Sequence, residues 1–454
     1  MRRKFKKPDY GSTLKETLCI EDVVPSNHLA RFVVDVISEL DLSKIYAGYA
    51  DVGGKPIAPE ILLGLLFYGY ATGVFSSRKI EKATYERIPF RFIAGGFHPD
   101  HSTIATFRKK FLGELQNLFV QILLLAQVAG VFELSDISLD GSKIHADASK
   151  TKAVSYKRLG EIERKLRQEV KELFELGEEA DQNELNLPEG FVVEDEIKLR
   201  QERLKNLSVA RAVLEARAQE RYELEEAEYE EKMKKREEKA RETGKKPGGR
   251  KPSPPEPGPR DKDQYNFTDP ESRIMKNSTD QGFDQHYNVQ IAVDHDAFLI
   301  VAPSLSNHPN DKKEAEPTLD AISPKLGKPA SAALDNGYFS ENTITLFEKR
   351  GVEPYIATGR EAHHKSWRSF FKELPAPPPE DSSPTVKMAY KLQTEIGQAI
   401  YRLRKCTVEP VFGIIKEIMG FRQFSLRGLE AVRGEWFLVC LAFNLKRMHT
   451  LMVA

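Results

Sequence analysis

Cysteine is nearly missing from this chain: Cys19, Cys406 and Cys440 are the only three in 454 residues. So few, so far apart, exclude a disulfide framework or a cysteine-based zinc cluster, and a reducing cytoplasm is the expected setting. A surplus of one charge is also missing. Lys plus Arg and Asp plus Glu are 68 each, for a formal net charge of +0. That balance excludes a histone-like polycation but leaves room for a nucleic-acid binder whose charge is unevenly spread. Long apolar runs are lacking as well. The longest, Ile61 to Gly73 and Leu118 to Phe132, fall short of the roughly 20 residues that a bilayer span needs, and Gln121 and Gln127 interrupt the second. The basic start, Met1-Arg2-Arg3-Lys4-Phe5-Lys6-Lys7, is not followed by an apolar core and does not read as a signal peptide. A soluble intracellular protein without membrane contact is expected.

What is present suits about three domains at roughly 150 residues each. Residues 1–134 read as all-helical. Pro25 and Ser26 precede an apolar pattern through Leu29, Phe32, Val33, Val36 and Ile37 at helical spacing. A second helix, about Pro59 to Tyr70, is apolar nearly all round and therefore central to the local core. Ser76 and Ser77 start a short helix that stops before Pro89. Ser102 is expected to cap a long one through Ile104, Phe107, Phe111, Leu115, Leu118 and Ile122. Short helices with tight turns are compatible with a helix-turn-helix module, with Arg108 and Lys109 near a helix start to meet DNA phosphate. A plain helical bundle with a solvated charge cluster fits the same residues.

Residues 157 to 240 are of another kind. Leu159, Ile162, Leu166, Val170 and Leu173 keep helical spacing. After a break at Pro188-Glu189-Gly190, Ile197, Leu204, Leu207, Leu214 and Ala218 resume it, as in an antiparallel coiled-coil-like hairpin. This stretch holds 24 acids against 18 Lys and Arg, net −6, so the neutral total conceals a basic body with an acidic arm. Residues 244–263 form a Pro-, Gly- and Lys-rich linker.

Strand-like patterns flank the hairpin. Ile137 to Ile144 alternates and is expected to end near Asp140 and Gly141. Tyr287, Val289, Ile291 and Val293 alternate, Asp294-His295-Asp296 turns, and Ala297 to Ala302 returns. Ser331 to Leu334 leads to Asp335-Asn336-Gly337 with a helix from Ser340, and Pro354 to Ala357 is a further strand. A proline-rich loop from Pro375 then leads to a helical end carrying Glu409.

Asp140 and Asp335 each close a short apolar strand, and Glu409 arrives on a helix. Carboxylates so placed converge hard oxygen donors suited to magnesium. Two such ions, roughly 3.5–4 Å apart, activate the attacking oxygen and stabilise the leaving one in phosphoryl transfer. Singly, each acid also reads as an ordinary turn or surface charge; together the order of strands, acids and helix is that of a ribonuclease-H-like core. From residue 396 onward nine Lys and Arg face four acids, a balance suited to holding DNA phosphate or to a solvated amphipathic face. Pro410 directly follows Glu409, so either a helix begins at Pro410 or the helix is kinked at the acid. His145, His286, His363 and His364 show no metal-ligand spacing and read as polar surface or supporting groups. Trp436, among Phe437, Leu438, Leu441 and Phe443, reads as core rather than as a base-stacking residue.

These segments resemble the DDE transposases of bacterial insertion sequences, in the group typed by insertion sequence 1182. The likeness is carried by Pro59-Glu60-Ile61-Leu62-Leu63, His101-Ser102-Thr103-Ile104, Asp140-Gly141-Ser142-Lys143-Ile144-His145, Tyr287-Asn288-Val289-Gln290, Asp335-Asn336-Gly337-Tyr338, Val408-Glu409-Pro410-Val411-Phe412-Gly413 and Gly420-Phe421-Arg422. Their shared order spans some 350 residues.

The resemblance implies a mixed α/β fold with three parts and a linker. A ribonuclease-H-like catalytic core would comprise residues 135–152 and 264–454, an N-terminal DNA-binding helical domain residues 1–134, and an inserted acidic hairpin residues 153–243. It implies a catalytic and metal-binding triad of Asp140, Asp335 and Glu409, using Mg2+ with Mn2+ able to substitute. Related families carry a Tyr, Arg, Glu, Lys signature around the third acid. Lys416 fits its spacing; Tyr401 and Arg404 fit each other, while Lys405 holds the strict arginine position. Tyr401, Arg404, Lys405 and Lys416, with Arg108 and Lys109, are thus candidates for DNA-phosphate contact. The implied function is cleavage at terminal inverted repeats and strand transfer to target DNA by a homodimer. A structure-specific nuclease without strand transfer, or an inactive DNA-binding remnant, would share much of the sequence.

Overall fold

The computed structural model describes residues 19–49, 56–183, 187–243, 251–277, 282–359 and 376–453. The basic start at residues 1–7, His363, His364, Pro375 and residues 244–250 of the linker lie outside them. In chain order the first helices are α1 (Ile20–Val23), α2 (Leu29–Ser38), α3 (Ser43–Tyr46), α4 (Pro59–Ala71), α5 (Ser77–Glu86), α6 (Ile88–Ile93), α7 (His101–Phe111) and α8 (Leu115–Val128). Strands β1 (Ile137–His145) and β2 (Ala153–Ser155) follow, then α9 (Tyr156–Asn183) and α10 (Val193–Thr243). Next come β3 (Gln264–Asn266), β4 (Arg273–Lys276), β5 (Phe283–Asp294), β6 (Ile300–Ser306), α11 (Ala315–Asp320) and β7 (Ser331–Leu334). The remainder is α12 (Glu341–Lys349), β8 (Glu353–Ile356), α13 (Pro384–Lys391), α14 (Glu395–Gly413) and α15 (Leu429–Val453). The chain divides into two compact units, one reaching Ile144 and resuming at Tyr287, the other spanning His145–His286.

In the first unit, α4 shows how sequence becomes core. Pro59 suits the first helical position, where its missing N–H costs nothing, and Glu60 faces the positive end of the helix dipole. Gly73, at φ +79°, follows the end of the helix in a conformation that side chains resist. Leu62 through Ala71 are all buried, because α2 and α15 pack on the helix. A polar knot lies in that packing. The Tyr70 hydroxyl donates to Glu435 Oε1 at 2.8 Å, Arg108 Nη1 donates to the Tyr70 oxygen at 2.9 Å, and Glu435 Oε2 accepts Ser425 N and Leu426 N at 2.9 and 3.0 Å. Trp436 is fully buried on α15, as its apolar neighbours suggested.

The sheet of this unit is mixed, in the order β6-β5-β1-β7-β8. β5 and β6 are antiparallel, while β1–β7 and β7–β8 are parallel. Being covered on both faces, β5 is buried from Gln285 to Asp294.

Several boundaries differ from the sequence reading. Asp100, not Ser102, caps α7: its Oδ1 accepts Ser102 N at 2.8 Å and Thr103 N at 3.1 Å. The expected long helix is two, since the turn Leu112–Glu114 winds as 3-10 helix around Gly113. Arg108 and Lys109 therefore occupy the last turn of α7, not a helix start, where cations complement the dipole. The return strand begins at Ile300 rather than Ala297, because Asp294 Oδ2 accepts Asp296 N and Ala297 N at 3.0 and 2.7 Å and widens the turn. By length and composition alone His101–Val128 could cross a bilayer. It is broken at Leu112–Glu114, and Leu118, Phe119, Ile122 and Leu123 are buried against protein.

The second unit is built on α9 and α10, antiparallel about the break at Pro188–Gly190. Leu159, Leu166, Leu207, Ala210 and Leu214 share a seam with Tyr265 of β3, and Leu173, Val193 and Ile197 form a second cluster near the turn. Arg200 Nε bridges to Glu169 Oε2 at 2.8 Å, and Arg211 to Glu163, so charge also pairs across the seam. β2 and β3 close the base as an antiparallel pair, with Ala153 opposite Asn266.

Replacing Glu435 by Ala strands the Tyr70 hydroxyl in the core and removes the acceptor of two partly buried backbone amides, Ser425 N and Leu426 N. The expected loss is about 3 kcal/mol of stability, read by urea denaturation with tryptophan fluorescence. Glu435→Gln, which keeps an acceptor, should lose less.

Candidate active site

Asp140 is the fourth residue of β1, with the strand continuing to His145. The sequence suggested a strand end there. The strand persists because Gly141 permits a close approach: a Cβ on it would lie well inside contact distance of the Gln290 carboxamide and 2.9 Å from Asp311 Oδ1. Asp335 sits just past β7, where its Oδ1 accepts Gly337 N at 2.6 Å and caps the turn Asn336–Tyr338. The parallel register pairs Leu139 with Leu334, so the two acids follow side by side.

Glu409 comes from α14, which neither begins nor ends at Pro410 but runs through it. Arg404, one and a half turns earlier, is 10% exposed and donates from Nη1 to Asp140 Oδ2 at 3.0 Å; its Nη2 lies 3.9 Å from Glu409 Oε1. Glu409 itself is 55% exposed. Burial, with the neighbouring Asp335 charge, pushes the Asp140 carboxyl up to about 7, although Arg404 pulls the other way. Beyond α14 the chain winds as a π turn over Ile414–Ile418. Lys416, in that turn, donates to Ser142 Oγ on β1, and burial lowers its ammonium below the usual range.

The remaining candidates are placed differently. Tyr401 lies beside Arg404, whose guanidinium carbon is 5.7 Å from its ring. Lys405 is exposed, while Arg404 is the cation that turns inward. Arg108 is engaged inside the first unit by Tyr70, and Lys109 is exposed. In the second unit His145 and His286 are not isolated: their rings lie 4.3 Å apart, and His286 Nδ1 is 2.8 Å from Asp284 O.

A residue that sequence reasoning missed is Asp311. Its Oδ1 accepts Asn288 Nδ2 and Gln290 Nε2, each at 2.8 Å, and Gln290 Oε1 accepts the Tyr338 hydroxyl. A signal was present: Asn288 and Gln290 are carboxamides at alternate positions in an otherwise apolar strand, and both are buried.

The donor set fits a hard divalent cation. Asp140, Asp335 and Glu409 supply carboxylate oxygens only, and positive charge would offset the burial and the neighbouring charge that lift Asp140. Among the described residues no three His, Cys, Asp or Glu side chains are gathered as a ready cage. Arg404 supplies positive charge between Asp140 and Glu409.

Two family models match the chain. One, described as "Transposase domain (DUF772)", covers residues 18–110; the other, "Transposase DDE domain", covers residues 379–449. Together they support a DDE-type transposase. The second match includes Arg404, Glu409 and Lys416. No curated protein and no solved structure matches the chain.

Gly141→Ala must displace the Gln290 carboxamide or Asp311. The expected cost is about 1–3 kcal/mol of stability, measured by urea denaturation.

Proposed function

We propose that the protein is a transposase that binds the terminal inverted repeats of an insertion sequence, cuts DNA at the ends and joins the strands to a target. The observation that carries this reading is the adjacency of Asp140 on β1 and Asp335 just past its parallel neighbour β7, with Glu409 tied to Asp140 through Arg404. The strand order β6-β5-β1-β7-β8, with an antiparallel hairpin beside parallel strands, supports a ribonuclease-H-like core. The two transposase matches support it independently of the geometry.

In this reading Asp140, Asp335 and Glu409 hold divalent cations, Mg2+ with Mn2+ as substitute. When bound, those ions supply activation of the attacking oxygen and stabilisation of the leaving one. The chain's own part is positional. β1 carries Asp140, the turn after β7 brings Asp335 beside it, and Glu409 completes the set from the more exposed side. Arg404, buried, and Lys416, half-buried, are the cations that would meet phosphate with the carboxylates holding metal, and Tyr401 flanks Arg404. Lys405 and Lys109 are exposed and, in this reading, add further contacts to DNA phosphate. A homodimer fits a reaction in which two element ends are cut together, and the 153–243 hairpin offers an arm for that contact.

The test uses linear DNA bearing the element's own terminal repeat, incubated with wild type, Asp140→Ala or Asp335→Ala. Repeat-specific nicking is expected with Mg2+ or Mn2+, abolished by chelator and by either substitution. Cleavage unchanged in Asp140→Ala would overturn the assignment, and repeat-indifferent cleavage would favour a plain nuclease.

A further inference from the structure

The β1–β7 ladder ends where the site begins. Its last registered pair is Leu139 with Leu334, and β7 stops there, so sheet pairing does not itself hold the Asp335 turn against β1. Two like charges nonetheless lie together at that point, and repulsion between them favours separation. Some other contact has to fix their spacing.

Gln290 is in position to do so. It is fully buried, it reaches from β5 to the space left by the missing Cβ of Gly141, and its Oε1 accepts the hydroxyl of Tyr338. Tyr338 is the third residue of the turn that Asp335 caps, and it too is fully buried. On one side Gln290 therefore abuts the residue after Asp140; on the other it grips the turn of Asp335. A carboxamide can turn over and exchange its oxygen for its nitrogen, which would take away the acceptor of the Tyr338 hydroxyl proton. Asp311 prevents this: a carboxylate accepts only, so the nitrogen of Gln290 must face it. Asn288 Nδ2 shares the same Asp311 oxygen, and the Trp436 indole N–H donates to the Gln290 backbone oxygen at 3.3 Å.

We propose that Asp311 is a positioning residue which, by locking Gln290 between Gly141 and Tyr338, sets the distance between Asp140 and Asp335. The inference rests on the reading above in which those two acids hold the cation. It assigns Asp311 a role through hydrogen bonding, not through its charge or as a ligand. An asparagine in its place can still present one oxygen to both amides, whereas alanine cannot.

The test measures Mn2+ binding to the full chain without DNA, by the electron paramagnetic resonance of free Mn2+, alongside thermal unfolding of each variant. Asp311→Ala and Tyr338→Phe are each expected to weaken Mn2+ binding about tenfold, with Asp311→Asn restoring it to within about twofold of wild type. Tyr338→Phe deletes only the hydroxyl, and it decides the matter should Asp311→Ala fail to fold. The proposal is overturned if Asp311→Asn binds as poorly as Asp311→Ala, which would make the charge the essential feature. Wild-type binding by Tyr338→Phe would overturn it too. Asp335→Ala is the control: loss of Mn2+ binding there upholds the reading of the site, while retention would overturn that reading whatever Asp311 does.

Discussion

Like-charged groups have to be held together against their own repulsion, and the first unit is organised around that requirement. Parallel pairing of β1 with β7 brings Asp140 beside Asp335, and burial then makes the charge on Asp140 harder to sustain. A guanidinium from α14 answers it. That answer demands that α14 stay packed on the sheet, which Val408, Val411 and Phe412 secure by burial. Removing any of the three, strand pairing, burial or cation, would change what the others have to do.

Short-range patterns made much of this visible in the sequence. Local residue types and spacing marked the hairpin, α4, the strand that leads to Asp335 and the capped helix at Ser340, because caps, turns and apolar periods act within a few residues. Asp140, Asp335 and Glu409 each stood out by their place next to a strand or on a helix. What stayed hidden depends on distant partners. Asp140 was expected at a strand end because Asp-Gly usually turns; only the approach of Gln290 and Asp311, far along the chain, explains why the strand goes on. Arg108 looked like a surface cation, but the Tyr70 hydroxyl and the Phe75 carbonyl turn it inward. Spacing in related families favoured Lys405, but Arg404 faces Asp140 and Lys405 faces solvent.

The uneven charge noticed in the sequence acquires a structural form in the second unit. Much of the acidity of α9 and α10 is matched along and across the helices by Arg and Lys, as in the pairs Arg167–Glu163, Arg200–Glu169 and Lys235–Glu231. Exposed pairs of this sort add little stability each. Leu159, Leu166, Leu207 and Leu214, in the buried seam, carry the hairpin instead.

The winding of the chain after Glu409 carries a constraint on length. A π turn accommodates one more residue than α winding would over the same rise, and here it spans Ile414–Ile418 with Lys416 inside it. Deleting a single residue from this stretch would let the helix relax to its regular repeat. Because the π turn absorbs that extra residue, the stretches on either side would keep their facing. The same loss from the regular winding of α14 between Glu409 and Gly413 would instead rotate one side by about 100° relative to the other, because each residue of an α-helix advances by that angle, and would turn Glu409 and Lys416 to different faces. The π turn is thus a place where a frame-preserving loss of one codon is absorbed, and the α winding before it is a place where it is not.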